Sequence, residues 1–149
     1  MKKLFPLQTL LDLSHLRMDD AARRLGQLIA SEQEGTRQLA MLIEYREEYH
    51  RRFLEAARLG MDRDLWENYR SFLARLDEAI AQQQAALDAS RQRKTVGQQT
   101  WMEKRSRAKA FDTLSARHKA GMLREEGRAE QKITDEHAAK GSRAEEPPE

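Results

Sequence analysis

The segment Leu59-Gly60-Met61-Asp62-Arg63-Asp64 decides the fold, because it is where a long helical pattern stops and a second one starts. Gly60 can take the left-handed backbone conformation that closes a helix at its C-terminus. Asp62 or Asp64 can cap the next helix, and Glu67 stands three residues after Asp64 as a capping-box partner. The turn is therefore expected at 60–64, with helices on both sides.

On the N-terminal side, a heptad with a at 4, 11, 18, 25, 32, 39, 46 and 53 puts d at 7, 14, 21, 28, 35, 42, 49 and 56. Twelve of these sixteen positions are apolar, and the exceptions are Ser14, Glu32, Gly35 and Arg46. Eight heptads in one register are a coiled-coil signature. On the C-terminal side, a second register runs through Trp66, Leu73, Ile80, Leu87, Lys94, Trp101 and Ala108 at a. Its d line is poorer: Tyr69, Leu76 and Phe111 are apolar, whereas Gln83, Ser90, Gly97 and Lys104 are not. Prolines occur only at 6, 147 and 148, so nothing between them forbids a helix.

Two helices joined by a short turn lie antiparallel. The expectation is a long α-hairpin over 1–140, with helix 1 at about 4–59, helix 2 at about 65–138 and arms of roughly 80 Å. If the turn centres near 61, facing residues have numbers summing to about 121. Residues past about 120 then have no counterpart on helix 1, and 141–149, with Gly141 and Pro147-Pro148, reads as a frayed or disordered C-terminal tail.

Composition agrees with an all-α antiparallel coiled coil. Ala, Glu, Lys, Leu and Arg supply 81 of 149 residues, above the roughly 50 % typical of long helices. One Val, four Ile and six Thr cannot furnish a sheet. The mean hydropathy of -0.89 suits a thin seam rather than a thick core. Without cysteine there is no disulfide, thiolate metal site or cysteine nucleophile. Met1-Lys2-Lys3-Leu4-Phe5 briefly resembles a signal peptide, but Pro6, Gln8, Thr9 and Asp12 interrupt it. No 18 apolar residues run together, so no membrane span is expected and the chain reads as cytoplasmic.

The residues offer little chemistry. There is no G-x-x-x-x-G-K-[ST], G-x-G-x-x-G or H-E-x-x-H motif, and His15, His50, His118 and His137 lack helical ligand spacing. A two-helix rod has no pocket from which water could be excluded. The chain is read as a non-enzyme without catalytic residues, cofactor or metal. Charge is uneven: residues 91–124 hold ten Lys or Arg against Glu103 and Asp112. That basic face could contact phosphates, so a nucleic-acid-binding protein is an alternative, as is a generic coiled-coil adaptor or chaperone. No aromatic ladder accompanies the cations, which argues against single-strand stacking.

A sharper constellation is Gln38, Leu42, Tyr45 and Tyr49 at spacings of 4, 3 and 4, matched by Phe72, Leu76, Ala79 and Gln83 at the same spacings. Antiparallel pairing sets 49 against 72, 45 against 76, 42 against 79 and 38 against 83, so the two stripes form one level set near the turn. Two readings stand. The set is either the seam itself or an exposed patch for a partner, since Ile43, Phe53, Leu73 and Ile80 already supply a seam.

These residues carry a family resemblance. Asp20-Ala21-Ala22-Arg23-Arg24-Leu25, Tyr45-Arg46-Glu47-Glu48-Tyr49, Trp66-Glu67-Asn68-Tyr69, Phe72-Leu73-Ala74-Arg75-Leu76-Asp77-Glu78-Ala79-Ile80, Trp101-Met102-Glu103-Lys104 and Glu130-Gln131-Lys132 occur in an order similar to that of the flagellar FliJ family. The resemblance covers nearly the whole chain. It implies an antiparallel two-helix coiled coil similar to the gamma stalk of rotary ATP synthases, acting in flagellar type III protein export. It further implies paired chain ends inserted into the hexameric export ATPase, export chaperones as partners, and contact with the transmembrane export gate. Carried onto this chain, the gate contact falls on Gln38, Leu42, Tyr45, Tyr49, Phe72, Leu76, Ala79 and Gln83. The place implied is the cytoplasmic face of the cell membrane at the flagellar base.

Overall fold

The computed structural model describes residues 4–144. It contains two helices, α1 (Gln8–Leu59, 52 residues) and α2 (Arg63–Ala144, 82 residues), and no strand among the described residues. They form a helical hairpin, as the interrupted heptads predict. α1 starts at Gln8 rather than near Leu4. A residue preceding proline is pushed out of helical backbone angles, so Phe5 cannot belong to a helix that continues through Pro6. The entry is instead a turn in which Gln8 N donates to Phe5 O at 3.1 Å.

The connection is tighter than the sequence suggests. Gly60 has φ 96°, and its N–H reaches back to Ala57 O at 3.3 Å. Only glycine takes that backbone conformation without strain. Asp62 is the cap of α2: its Oδ1 accepts from Leu65 N at 2.7 Å. Asp64 therefore falls inside the first turn, where its charge suits the positive end of the helix. Glu67 accepts from Arg63 Nε at 3.4 Å.

α2 continues past the expected end at 138 to Ala144, so 141–144 is helical and 145–149 lies outside the described residues. Every side chain from Leu123 to Arg143 is exposed. No packed face holds this stretch, which rests on its backbone bonds and local pairs such as Gln131 with Asp135 at 3.1 Å.

The chain divides into two compact units. In the one built from residues 19–103, the buried side chains include Ala21, Leu39, Leu76 and Leu87, with Leu87 only 2 % exposed. The other joins 4–18 to 104–144, where Leu11, Ser14, Ala108 and Ser115 are buried. There His15 Nε2 lies 2.8 Å from Asp112 Oδ1, and Phe5 packs on His118 with ring centroids 5.5 Å apart.

Within each unit the seam follows the heptad closely. From Leu11 to Ala56 every a and d residue of α1 is buried or half-buried. The polar d residues of α2 also lie in the seam, with Gln83, Gly97 and Lys104 half-buried and Ser90 buried. The weak d line is therefore a real polar stretch of the interface, not a break in register.

Candidate functional site

The unit of residues 19–103 brings the two matched stripes together. Tyr49 faces Phe72 with ring centroids 4.4 Å apart, and Tyr45 meets the same ring edge-on at 6.2 Å and 81°. At the other end of the set, Gln83 Nε2 donates to Gln38 Oε1 at 3.4 Å and to Gly35 O at 3.3 Å. Both pairs are level partners of the expected antiparallel register.

Burial divides the eight residues. Leu76, at 7 % exposed, belongs to the hairpin interior. Leu42, Tyr49, Phe72, Ala79 and Gln83 are half-buried, while Gln38 and Tyr45 are exposed. The set is therefore not uniform in burial. Its inner members are seam, and a surface led by Tyr45, with 47 % exposed, lies on top of them. Phe72 is a shared wall rather than an outward aromatic.

The aromatic cluster is larger than the stripes. Tyr69 packs at a tilt against Tyr49 at 5.1 Å and Phe53 at 5.6 Å, and His50 stacks 6.3 Å from Phe53. Phe53 and Tyr69 are a and d residues, so the heptad already announced them as seam, but not as a continuation of the same ring cluster. Burial, reinforced by the neighbouring phenols of Tyr69 and Tyr45, raises the Tyr49 hydroxyl pKa above its ordinary value.

A flanking ion pair was not foreseen. Arg46, which interrupts the α1 apolar stripe, lays its guanidinium on the Asp77 carboxylate of α2. The hydrogen bond to Asp77 and its charge raise the Arg46 pKa. Near the turn Arg70 lies over the Trp66 ring, 5.1 Å from its centroid.

Three of the basic residues of 91–124 are drawn into the seam or onto its rim. Arg91 and Lys94 both engage Glu32 across the seam, and Lys104 is half-buried. Among the described residues no group of three or more His, Cys, Asp or Glu is placed to hold a metal ion. No helix of the described residues is long and apolar enough to cross a membrane. What the fold presents is a paired-helix protein whose distinctive feature is a surface, a ring cluster half sunk in a coiled-coil seam.

Comparison with known proteins assigns that architecture. The family model described as flagellar FliJ protein matches residues 1–146. Over 136 residues the chain is 35 % identical to the flagellar FliJ protein of Escherichia coli (strain K12), covering 91 % of this chain and 92 % of that protein. It is 36 % identical to the flagellar FliJ protein of Salmonella typhi over the same length and shares. No solved structure matches the chain. The chain belongs to the flagellar FliJ protein family. Membership makes it a component of flagellum biogenesis and flagellar protein export.

Proposed function

We propose that this chain is the stalk of the flagellar type III export apparatus, coupling the hexameric export ATPase to the transmembrane export gate and assisting chaperone and substrate delivery. It works on the cytoplasmic face of the cell membrane at the flagellar base. It carries no catalytic group of its own. It biases the ATPase by binding some conformational states of the ring better than others, which is the only way a bound partner shifts an equilibrium.

In this reading the gate contact is made by the stripes of Gln38, Leu42, Tyr45, Tyr49, Phe72, Leu76, Ala79 and Gln83. The observation that supports it is the 47 % exposure of Tyr45 on the rings of Tyr49 and Phe72. A hairpin needing only a seam gains nothing by leaving a phenol on its surface, whereas binding surfaces use such aromatics as anchors. On this proposal the eight residues share the work: Leu76 and Ala79 support the patch from beneath, and Tyr45 and Gln38 meet the partner. The ATPase contact is assigned to the unit of 4–18 and 104–144, with the exposed Leu10, Leu13 and Leu114 as its apolar surface.

The test is a pull-down with the cytoplasmic part of the gate protein, run beside stimulation of the export ATPase. Tyr45→Ala should lower gate capture while ATPase stimulation persists. Equal capture by wild type and variant would overturn the assignment of the patch.

A further inference from the structure

The Glu32 carboxylate stands in the seam at 18 % side-chain exposure and meets two cations of α2. Lys94 Nζ contacts its Oε2, and Arg91 Nε lies 3.6 Å from its Oε1. We propose that this layer is a built-in opening point, at which α1 and α2 separate locally and more readily at high ionic strength, while the apolar seam nearer the turn stays closed.

Four independent features converge on the layer. First, its central contact is an ion pair taken largely out of water. Desolvating both charges offsets most of their attraction, so the pair adds less than apolar residues of the same volume would. Second, Ser90 is buried and its Oγ has no hydrogen-bond partner among the described residues. A polar atom that regains water on opening favours the open state.

Third, both helices carry a glycine here. A Cβ on Gly35 would lie 3.4 Å from Leu87 Cδ1, and one on Gly97 would lie 2.6 Å from Leu28 Cδ1. The helices approach closely at these holes, but each interior glycine weakens its own helix locally. Fourth, the surrounding backbone includes poor helix formers on both helices. Thr36 Oγ1 donates to Glu32 O at 3.0 Å, and Thr95 Oγ1 donates to Arg91 O at 3.1 Å. Such back-bonding competes with the helical ladder on α1 and α2 at the same level. Val96 follows Thr95 directly and is exposed.

Toward the turn the seam changes character. Leu39 and Leu76 are buried, and Leu42 and Ile80 are half-buried. Local opening favours a segment where polar seam groups and weak helix formers coincide, as they do at the Glu32 layer beside the buried Leu87. The inference is independent of which partners the chain binds.

Hydrogen exchange read by mass spectrometry on the full chain tests it, at about 20 mM and about 0.5 M sodium chloride, which differ in how far they screen the half-exposed Arg91 arm of the layer. Amides of 28–36 and 87–98 should exchange faster than those of 39–46 and 72–80, and salt should widen the gap. Equal protection of the two regions at both salts would overturn the proposal. Glu32→Leu combined with Lys94→Leu should slow exchange in the layer by roughly tenfold or more and remove the salt response. Should light scattering show that this variant associates, Thr95→Ala with Val96→Ala decides instead. Both sites are exposed, and better helix propensity there should slow exchange in 87–98 by about threefold or more. No change in this second variant would equally overturn the opening point.

Discussion

Tyr49 of α1 and Phe72 of α2 face each other with ring centroids 4.4 Å apart and planes at 52°. The contact closes the seam near the turn, and Tyr45 leans on its outer side with 47 % of its surface exposed. In the proposed reading, stability and partner binding are carried by different members of one ring cluster, and substitution can separate them.

Truncating Phe72 to Ala removes a half-buried ring from between Tyr45 and Tyr49. Stability should fall by about 2–4 kcal/mol, at or somewhat below the usual cost for a fully buried ring. Tyr45→Ala should cost less than about 1 kcal/mol, as surface changes do. Denaturant melts give both values. If the proposed patch is right, Tyr45→Ala still loses gate binding despite a near-normal melt.

The Tyr49 hydroxyl, raised in pKa by burial, stays neutral in the folded state at a pH where an ordinary phenol is ionised. The sign follows by linkage. The folded state holds this proton more tightly, so its contribution is complete below about pH 10 and is lost as pH rises through the folded pKa. Melts should therefore decline above about pH 10, and Tyr49→Phe should flatten that decline. Ultraviolet titration of phenolate absorbance should show one late-ionising tyrosine that the variant lacks.

Two glycines of the same unit should respond oppositely to bulk. Nothing lies within 4 Å of a Cβ on Gly26, so Gly26→Ala should stabilise by about 0.5–1 kcal/mol through backbone entropy alone. At Gly97 the added Cβ would strike Leu28 Cδ1, the flexible end of a side chain. Gly97→Ala should be near neutral, with helix propensity offsetting the displacement of Leu28. Gly97→Leu should lose about 1–3 kcal/mol by overpacking. Thermal melts of the three variants check the order.

Leu87, 2 % exposed, fills the hole left by Gly35. Leu87→Ala should cost about 2–5 kcal/mol. The cap is a smaller term: Asp62→Ala should cost about 1 kcal/mol by freeing Leu65 N. Equal losses for the two would mean that the seam at Leu87 relaxes to fill the gap.

Much of this fold is legible from periodicity because a two-helix seam is nearly one-dimensional. The α1 residues from Leu11 to Ala56 fall in the interface at the predicted a and d positions, including the polar Ser14, Glu32 and Arg46. The start at Gln8 and the cap at Asp62 were less legible. They depend on backbone angles at Phe5 and on the choice between two aspartates two residues apart. The candidate site was legible as a set of eight, yet spacing alone did not separate the buried Leu76 from the exposed Tyr45. Both are compatible with one helical face, and only the facing helix decides which side it covers.

The sequence by itself determined two helices, their antiparallel order, the level pairing of Tyr49 with Phe72 and of Gln38 with Gln83, and the family. Those follow from one turn signal and two heptads, quantities local to the chain. Only the tertiary structure decided what the irregular seam residues do. Glu32 met Arg91 and Lys94, Arg46 met Asp77, and Leu28 found the space over Gly97. The reason is physical: a polar residue or a glycine in an apolar stripe has no value of its own in a heptad. Its cost or benefit is set by the group that faces it across the interface, many residues away along the chain.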